Sequence, residues 1–164
     1  MPSVEEKVEE YFKKILDVNK VRHYGKTEKM NPAIASALKN ADSKSGGSGC
    51  NFPDIQIMLE NSNARRIPVM VEAKGTKNKL EKRDKSGAIV GVTYYDKDGK
   101  PGKDGKPVHL KGETNYSAVK DYAVNGAVHY GNAVLDEGTY NEAIVVGING
   151  TALDDAGNVA DAEC

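Results

Sequence analysis

Apolar residues recur at two different periods along the chain, and the change of period divides it into elements. Val4, Val8, Tyr11, Phe12, Ile15 and Leu16 fall at helical spacing, which predicts a helix running to about Asp17 with one buried stripe. Its start is marked by Ser3-Val4-Glu5-Glu6, a capping box in which the Ser3 hydroxyl meets the Glu6 N–H and the Glu6 carboxylate reaches back. A second helix is predicted from Pro32, a good first-turn residue after Asn31, through Leu38. The run Ser43 to Gly49 then breaks regular structure. The period drops to two at Ile55, Ile57 and Leu59 and again at Ile67, Val69, Val71 and Ala73, with Asn61-Ser62-Asn63 as the turn between them, so a β-hairpin is predicted. Helical spacing returns over Asn115 to Leu135, where Val119, Tyr122, Ala123, Gly126, Ala127, Tyr130 and Val134 share a stripe whose small members allow close packing on a sheet. Glu142 to Ile148 is a final apolar strand, ended by Asn149-Gly150.

Composition narrows what such a domain can do. The 164 residues are 38% hydrophobic, 29% charged and 6% aromatic, which suits one soluble domain with a modest core. A net charge of −1 excludes the global basic field of a passive nucleic-acid coat, so any DNA contact has to come from a local patch. Cys50 and Cys164 have no neighbours at metal-ligand spacing and do not make a disulfide framework, which points to a reducing, cytoplasmic setting. The acidic N-terminus is unlike a signal peptide, and no apolar run is long enough to span a bilayer. The glycines of the 43–49 loop are not followed by Gly-Lys-Ser/Thr, so nucleotide binding is rejected there.

Chemistry concentrates on the hairpin. Alternation projects Glu72 and Lys74 from one face of the strand and Val71 and Ala73 from the other. Asp54 opens the partner strand just after Pro53, and a hairpin brings it opposite Glu72. Two carboxylates so placed repel and raise each other's pKa unless a cation lies between them, and a hard divalent ion such as Mg²⁺ suits oxygen ligands. The plain alternative is an exposed cross-strand charge pair, with Asp54 capping a turn.

Pro53-Asp54 followed by Glu72-Ala73-Lys74 resembles the signature of the PD-(D/E)xK nuclease superfamily, in the order helix, strand, strand, helix, strand of that core. The segment "YAVNGAVHYGNAVLDEGTYNEAIVVGING" and the Gly-rich approach to Pro53-Asp54 are similar, more narrowly, to the N-terminal nuclease domain of bacterial single-chain restriction-modification enzymes of the type IIG or type I-like kind. The resemblance implies an α/β (α+β) fold with a restriction-endonuclease-like core, a mixed central β-sheet flanked by helices and a β-hairpin insertion. It implies a nuclease domain over 1–150, with the insertion at about 83–113. The tail 151–164 would lead to target-recognition and methyltransferase domains of the same polypeptide. It implies Mg²⁺-dependent hydrolysis of double-stranded DNA, with Mn²⁺ substituting and a 5′-phosphate product. Cutting both strands with one active site calls for a second copy or a second encounter, so transient dimerisation on DNA is expected. Asp54 and Glu72 would be metal ligands with the backbone carbonyl of Ala73 as a third, and Lys74 would orient or deprotonate the attacking water or stabilise the phosphorane-like oxygens. Many relatives add an acid from the first helix, for which Glu5 and Glu9 are the candidates. Acids near a helix start also simply favour its dipole. The rival from another class is a non-catalytic nucleic-acid-binding or docking module with a nuclease-like fold.

The stretch "GTKNKLEKRDK" adds Lys77, Lys79, Lys82 and Arg83 as candidate phosphate contacts, and Lys74 to Lys85 hold six Lys or Arg against Glu81 and Asp84. Ala88 to Tyr95 and Val108 to Lys111 bracket a repeated Asp-Gly-Lys-Pro, read as a protruding hairpin. A calcium loop is rejected there, because Lys100 and Pro107 stand where oxygen ligands belong. Asn125 and His129 are polar candidates on the long helix for DNA or for supporting the site. The Gln–Tyr pair that some superfamily branches carry on this helix is absent, since Gly126 precedes Tyr130 at that interval.

Overall fold

The computed structural model describes residues 2–44, 52–90 and 114–164. The elements are α1 (Val4–Val18), β1 (His23–Gly25), α2 (Pro32–Asn40), β2 (Ile55–Glu60), β3 (Arg66–Lys74), α3 (Tyr116–Asp121), α4 (Ala123–Glu137) and β4 (Ile144–Asn149). The sheet order is β1-β2-β3-β4, antiparallel across the first two pairings and parallel between β3 and β4. This is a mixed sheet flanked by helices, as the family resemblance implied.

Alternation along β3 sorts the core into two layers. Val69, Val71 and Ala73 face α1 with Val8, Leu16, Ile55, Ile57 and Ile148. Met70 faces the other way, among Ile34, Ala37 and Leu38 of α2 and Tyr130 and Val134 of α4. The α1 capping box forms as expected, with Glu6 N donating to Ser3 Oγ at 3.2 Å and Ser3 N to Glu6 Oε2 at 2.5 Å. Tyr11 and Ile15 lie outside the buried stripe, more than a third exposed, while Val8 and Leu16 are buried and Val4 and Phe12 pack half-buried beside them.

The structure departs from the sequence reading in three places. The helix expected over Asn115 to Leu135 is two helices, broken at Tyr122, whose φ of −120° and ψ of 136° are extended. The break has a cause: the N–H groups of Ala123 and Val124 donate to the carbonyls of Lys79 and Leu80, which replace helix acceptors. The short strand β1, too brief for a periodic signal, pairs with β2. The tail has no long apolar element, yet it folds back. Asn149 and Glu163 exchange backbone hydrogen bonds, Asp161 accepts from Thr151, and Val159 packs on the core. The hairpin expected over 88–111 lies outside the described residues apart from Ala88 to Val90, where Ile89 bridges Arg83 across a preceding turn, and so does Cys50.

Candidate functional site

The β2–β3 register pairs Ile55 with Val71, so one step further places Asp54 opposite Glu72. Here β2 has just begun, and the Asp54 carboxylate takes over as acceptor: Oδ2 receives the Ala73 N–H at 2.6 Å. The carbonyl of Lys74 accepts from Gly150 on the β4 side. By alternation Ala73, one residue earlier, directs both its N–H and its carbonyl to the opposite edge, where Asp54 lies. Asp54, Glu72 and the Ala73 carbonyl, the three groups expected as metal ligands, thus stand at one end of the sheet.

Both acids are out of solvent, Asp54 at 1% exposure and Glu72 at 0%. An exposed charge pair is therefore excluded for Glu72. Its pKa is pushed up from 4.5 to about 7, first by burial and then by the Asp54 charge, with Lys44 and Lys74 opposing. Lys44 Nζ grips both oxygens of Glu72, at 2.7 Å from Oε2 and in closer contact with Oε1. Lys26 Nζ lies 2.7 Å from Asp54 Oδ1 and 3.4 Å from Glu9 Oε2. Burial works against the Lys26 charge, but Asp54 and Glu9 outweigh it and raise its pKa. Lys74 reaches Glu5 at 3.4 Å, and Glu9 is further tied to Lys13 at 2.6 Å.

Two close approaches fix this geometry. A Cβ on Gly75 would stand 2.3 Å from the Glu5 backbone nitrogen, so only glycine lets the start of α1 sit against the end of β3. A Cβ on Gly126 would meet the Val119 carbonyl at 2.9 Å and Glu72 Cγ at 3.2 Å, so α4 packs directly onto the acid. One turn along, the Tyr130 hydroxyl is buried with no hydrogen-bond partner among the described residues. Burial, then the charges of Glu72 and Asp54, raise its pKa.

Among the described residues no three His, Cys, Asp or Glu side chains cluster closely enough to hold a metal by themselves. Glu5 and Glu9 are engaged by lysines, as are Asp54 and Glu72. Two carboxylates and a backbone carbonyl nonetheless form a hard oxygen set of the kind Mg²⁺ uses with retained waters. The unpaired Tyr130 hydroxyl beside them is a group that a hydrated cation would satisfy.

Beside the acids opens a cavity of about 420 Å³ lined by Lys44, Lys74, Lys79 and Lys120 with Glu5, Thr76 and Asp121. A larger cleft of about 510 Å³ runs past His129, but among the described residues it is lined by Asp42, Asp136 and Glu137 and by no lysine or arginine, which does not suit a phosphate backbone. His129 Nε2 lies 2.8 Å from the Asp42 carbonyl in that cleft, away from the lysines. Asn125 is wholly buried: its side chain donates to the carbonyls of Lys82 and Val90 and accepts from Lys82 N, clamping the basic loop and leaving nothing for DNA. Lys79 pairs with Asp121 at 3.1 Å over the Tyr122 ring, and Arg83 is forked onto Glu81, while Lys77 and Lys82 are exposed. Lys26, Lys44 and Tyr130 carry no local signal as site residues, because tertiary folding alone brings them to the acids.

Fold and site together define a mixed α/β domain with a buried acid pair at one sheet end, opening into a basic cavity. Over 124 residues, 75% of its length, the chain is 28% identical to the type II restriction enzyme and methyltransferase RM.BcgI of Heyndrickxia coagulans. It spans about 15% of the length of that relative, so the likeness is distant and partial. No family model matches the chain, and no solved structure does. No helix among the described residues is long and apolar enough to cross a membrane.

Proposed function

We propose that this chain is the cleavage module of a restriction-modification protein, a PD-(D/E)xK-type nuclease hydrolysing phosphodiester bonds of double-stranded DNA with Mg²⁺ or Mn²⁺. The observation that carries this reading is the burial of Asp54 and Glu72 at adjoining strand ends, with Lys74 two residues on opening into a basic cavity. Distant similarity to a protein whose name joins restriction and methylation supports the setting.

Asp54, Glu72 and the Ala73 carbonyl would hold the cation. When bound it would supply a water of lowered pKa and neutralise charge developing at phosphorus. Lys74 lines the cavity, where its ammonium would orient the attacking water and stabilise the phosphoryl oxygens. Lys44, Lys79 and Lys120 seat the phosphate backbone. Burial of the acids excludes bulk water from all but the cavity side and strengthens each of these contacts. The product carries a 5′-phosphate, and a double-strand cut calls for a second copy of the domain or a second encounter with the DNA. Target recognition and methylation belong to further domains of the same polypeptide.

The test is Mg²⁺- or Mn²⁺-dependent nicking of supercoiled plasmid by the longest available form of the protein, against Lys74→Ala. Loss of nicking in the variant, with its fold and its stabilisation by metal retained, supports the reading. A full-length protein that never cuts refutes it. The second reading, a binding module with a nuclease-like fold, is favoured by the lysines already seated on both acids. It requires that Mg²⁺ and Mn²⁺ leave the melting temperature unchanged, whereas the nuclease gains stability by mass action.

A further inference from the structure

Glu72 lies in the core with no exposed atom, and the group that balances its charge comes from outside the sheet. Lys44, just past α2, stands over the Tyr130 ring at 5.5 Å, and its ammonium contacts both carboxylate oxygens. Lys26 does the same for Asp54 from a more exposed position. Two ammonium groups therefore stand against two carboxylates, the charge that one divalent ion would bring.

We propose that Lys44 is an internal counter-cation of the metal-free site: it occupies the Glu72 carboxylate, has to leave when a divalent ion binds there, and so sets the affinity for that ion. This rests on the metal-dependent nuclease reading. One ammonium engages both Glu72 oxygens, so a divalent ion that takes either meets that charge at contact distance, and the two cations repel. Occupancy by lysine and by metal are thus linked with opposite sign. The displaced ammonium has a place to go, since Lys44 already lines the cavity shared with Lys74, Lys79 and Lys120. Metal loading then adds a positive charge to the phosphate seat. Lys44 acts here as a positioning residue, keeping an empty site folded and reserving phosphate affinity for the loaded one.

Calorimetric titration of the full chain with Ca²⁺, which binds such oxygen sites, tests this at mildly alkaline pH, where protons compete least. Lys44→Met is expected to bind at least about tenfold tighter than wild type, because the competing charge is gone. Lys120→Met, which removes a lysine of the same cavity that is not paired with Glu72, is expected to stay within about twofold. A merely structural Lys44 would lower stability without tightening calcium. Should Lys44→Met not fold, Lys44→Gln, which keeps an N–H donor for Glu72 and loses the charge, is read the same way. Wild-type binding that disappears in Glu72→Gln, together with Lys44 variants no tighter than wild type, overturns this proposal alone. Absence of calcium binding in wild type and in every Lys44 variant overturns it together with the metal-dependent reading.

Discussion

Replacing Glu72 with glutamine removes a buried charge while keeping the shape of the side chain, and its effect can be worked out before it is measured. In the unfolded chain the carboxyl titrates near its ordinary 4.5, whereas burial and the Asp54 charge raise it to about 7 in the folded protein. The folded state therefore holds its proton over the interval between those values, and unfolding there releases it. Stability from this group is full below about 4.5 and is lost as pH rises through about 7. The separation corresponds to about 3 kcal/mol, and the group is too buried for solvent to screen it. For a chain of 164 residues this is roughly 6–12 °C in Tm. The assay is urea unfolding at a series of pH values in EDTA, wild type beside Glu72→Gln. Wild type is expected to lose that stability between about pH 5 and 7.5, and the variant to be nearly flat across the same window. Excess Mg²⁺ should restore wild type on the alkaline side and leave Glu72→Gln unmoved. Equal slopes in the two proteins would refute the reasoning, because the titrating group would then lie elsewhere.

Other outcomes follow from single contacts. Gly75→Ala forces a Cβ against the Glu5 backbone, so α1 must shift from the end of β3; a loss of about 1–3 kcal/mol in chemical unfolding is expected, with metal-dependent nicking lost along with it. Asn125→Ala strands the polar groups of Lys82 and Val90 and is expected to cost about 2–3 kcal/mol, with faster amide exchange in the 82–90 loop as the local readout. An unchanged exchange rate there would show that Asn125 does not hold the loop.

Capping and alternation made much of the fold legible. The Ser3 capping box, the Asn31-Pro32 start and the period-two runs around Asn61 are local devices, each satisfied by residues within a few positions, and each forms where expected. The break at Tyr122 was not legible, because the helical stripe runs through it and the competing acceptors, Lys79 and Leu80, come from more than forty residues away. Asn125 shows the same limit: beside His129 it read as a polar candidate for DNA or for supporting the site, but its partners lie across the fold.

The site divides along the same line. The sequence by itself determined which groups could bear charge on the hairpin and, through the strict alternation of a strand, that Asp54, Glu72 and Lys74 belong to neighbouring strand ends. Only the tertiary structure decided that both acids are buried, that Glu5 and Glu9 are taken by lysines, and that Lys26 and Lys44 neutralise the acid pair. Burial and long-range ion pairing depend on how α1, α2 and α4 close over the sheet, at Gly75 and Gly126 above all. No local pattern encodes the distance between residues brought together from opposite ends of the chain.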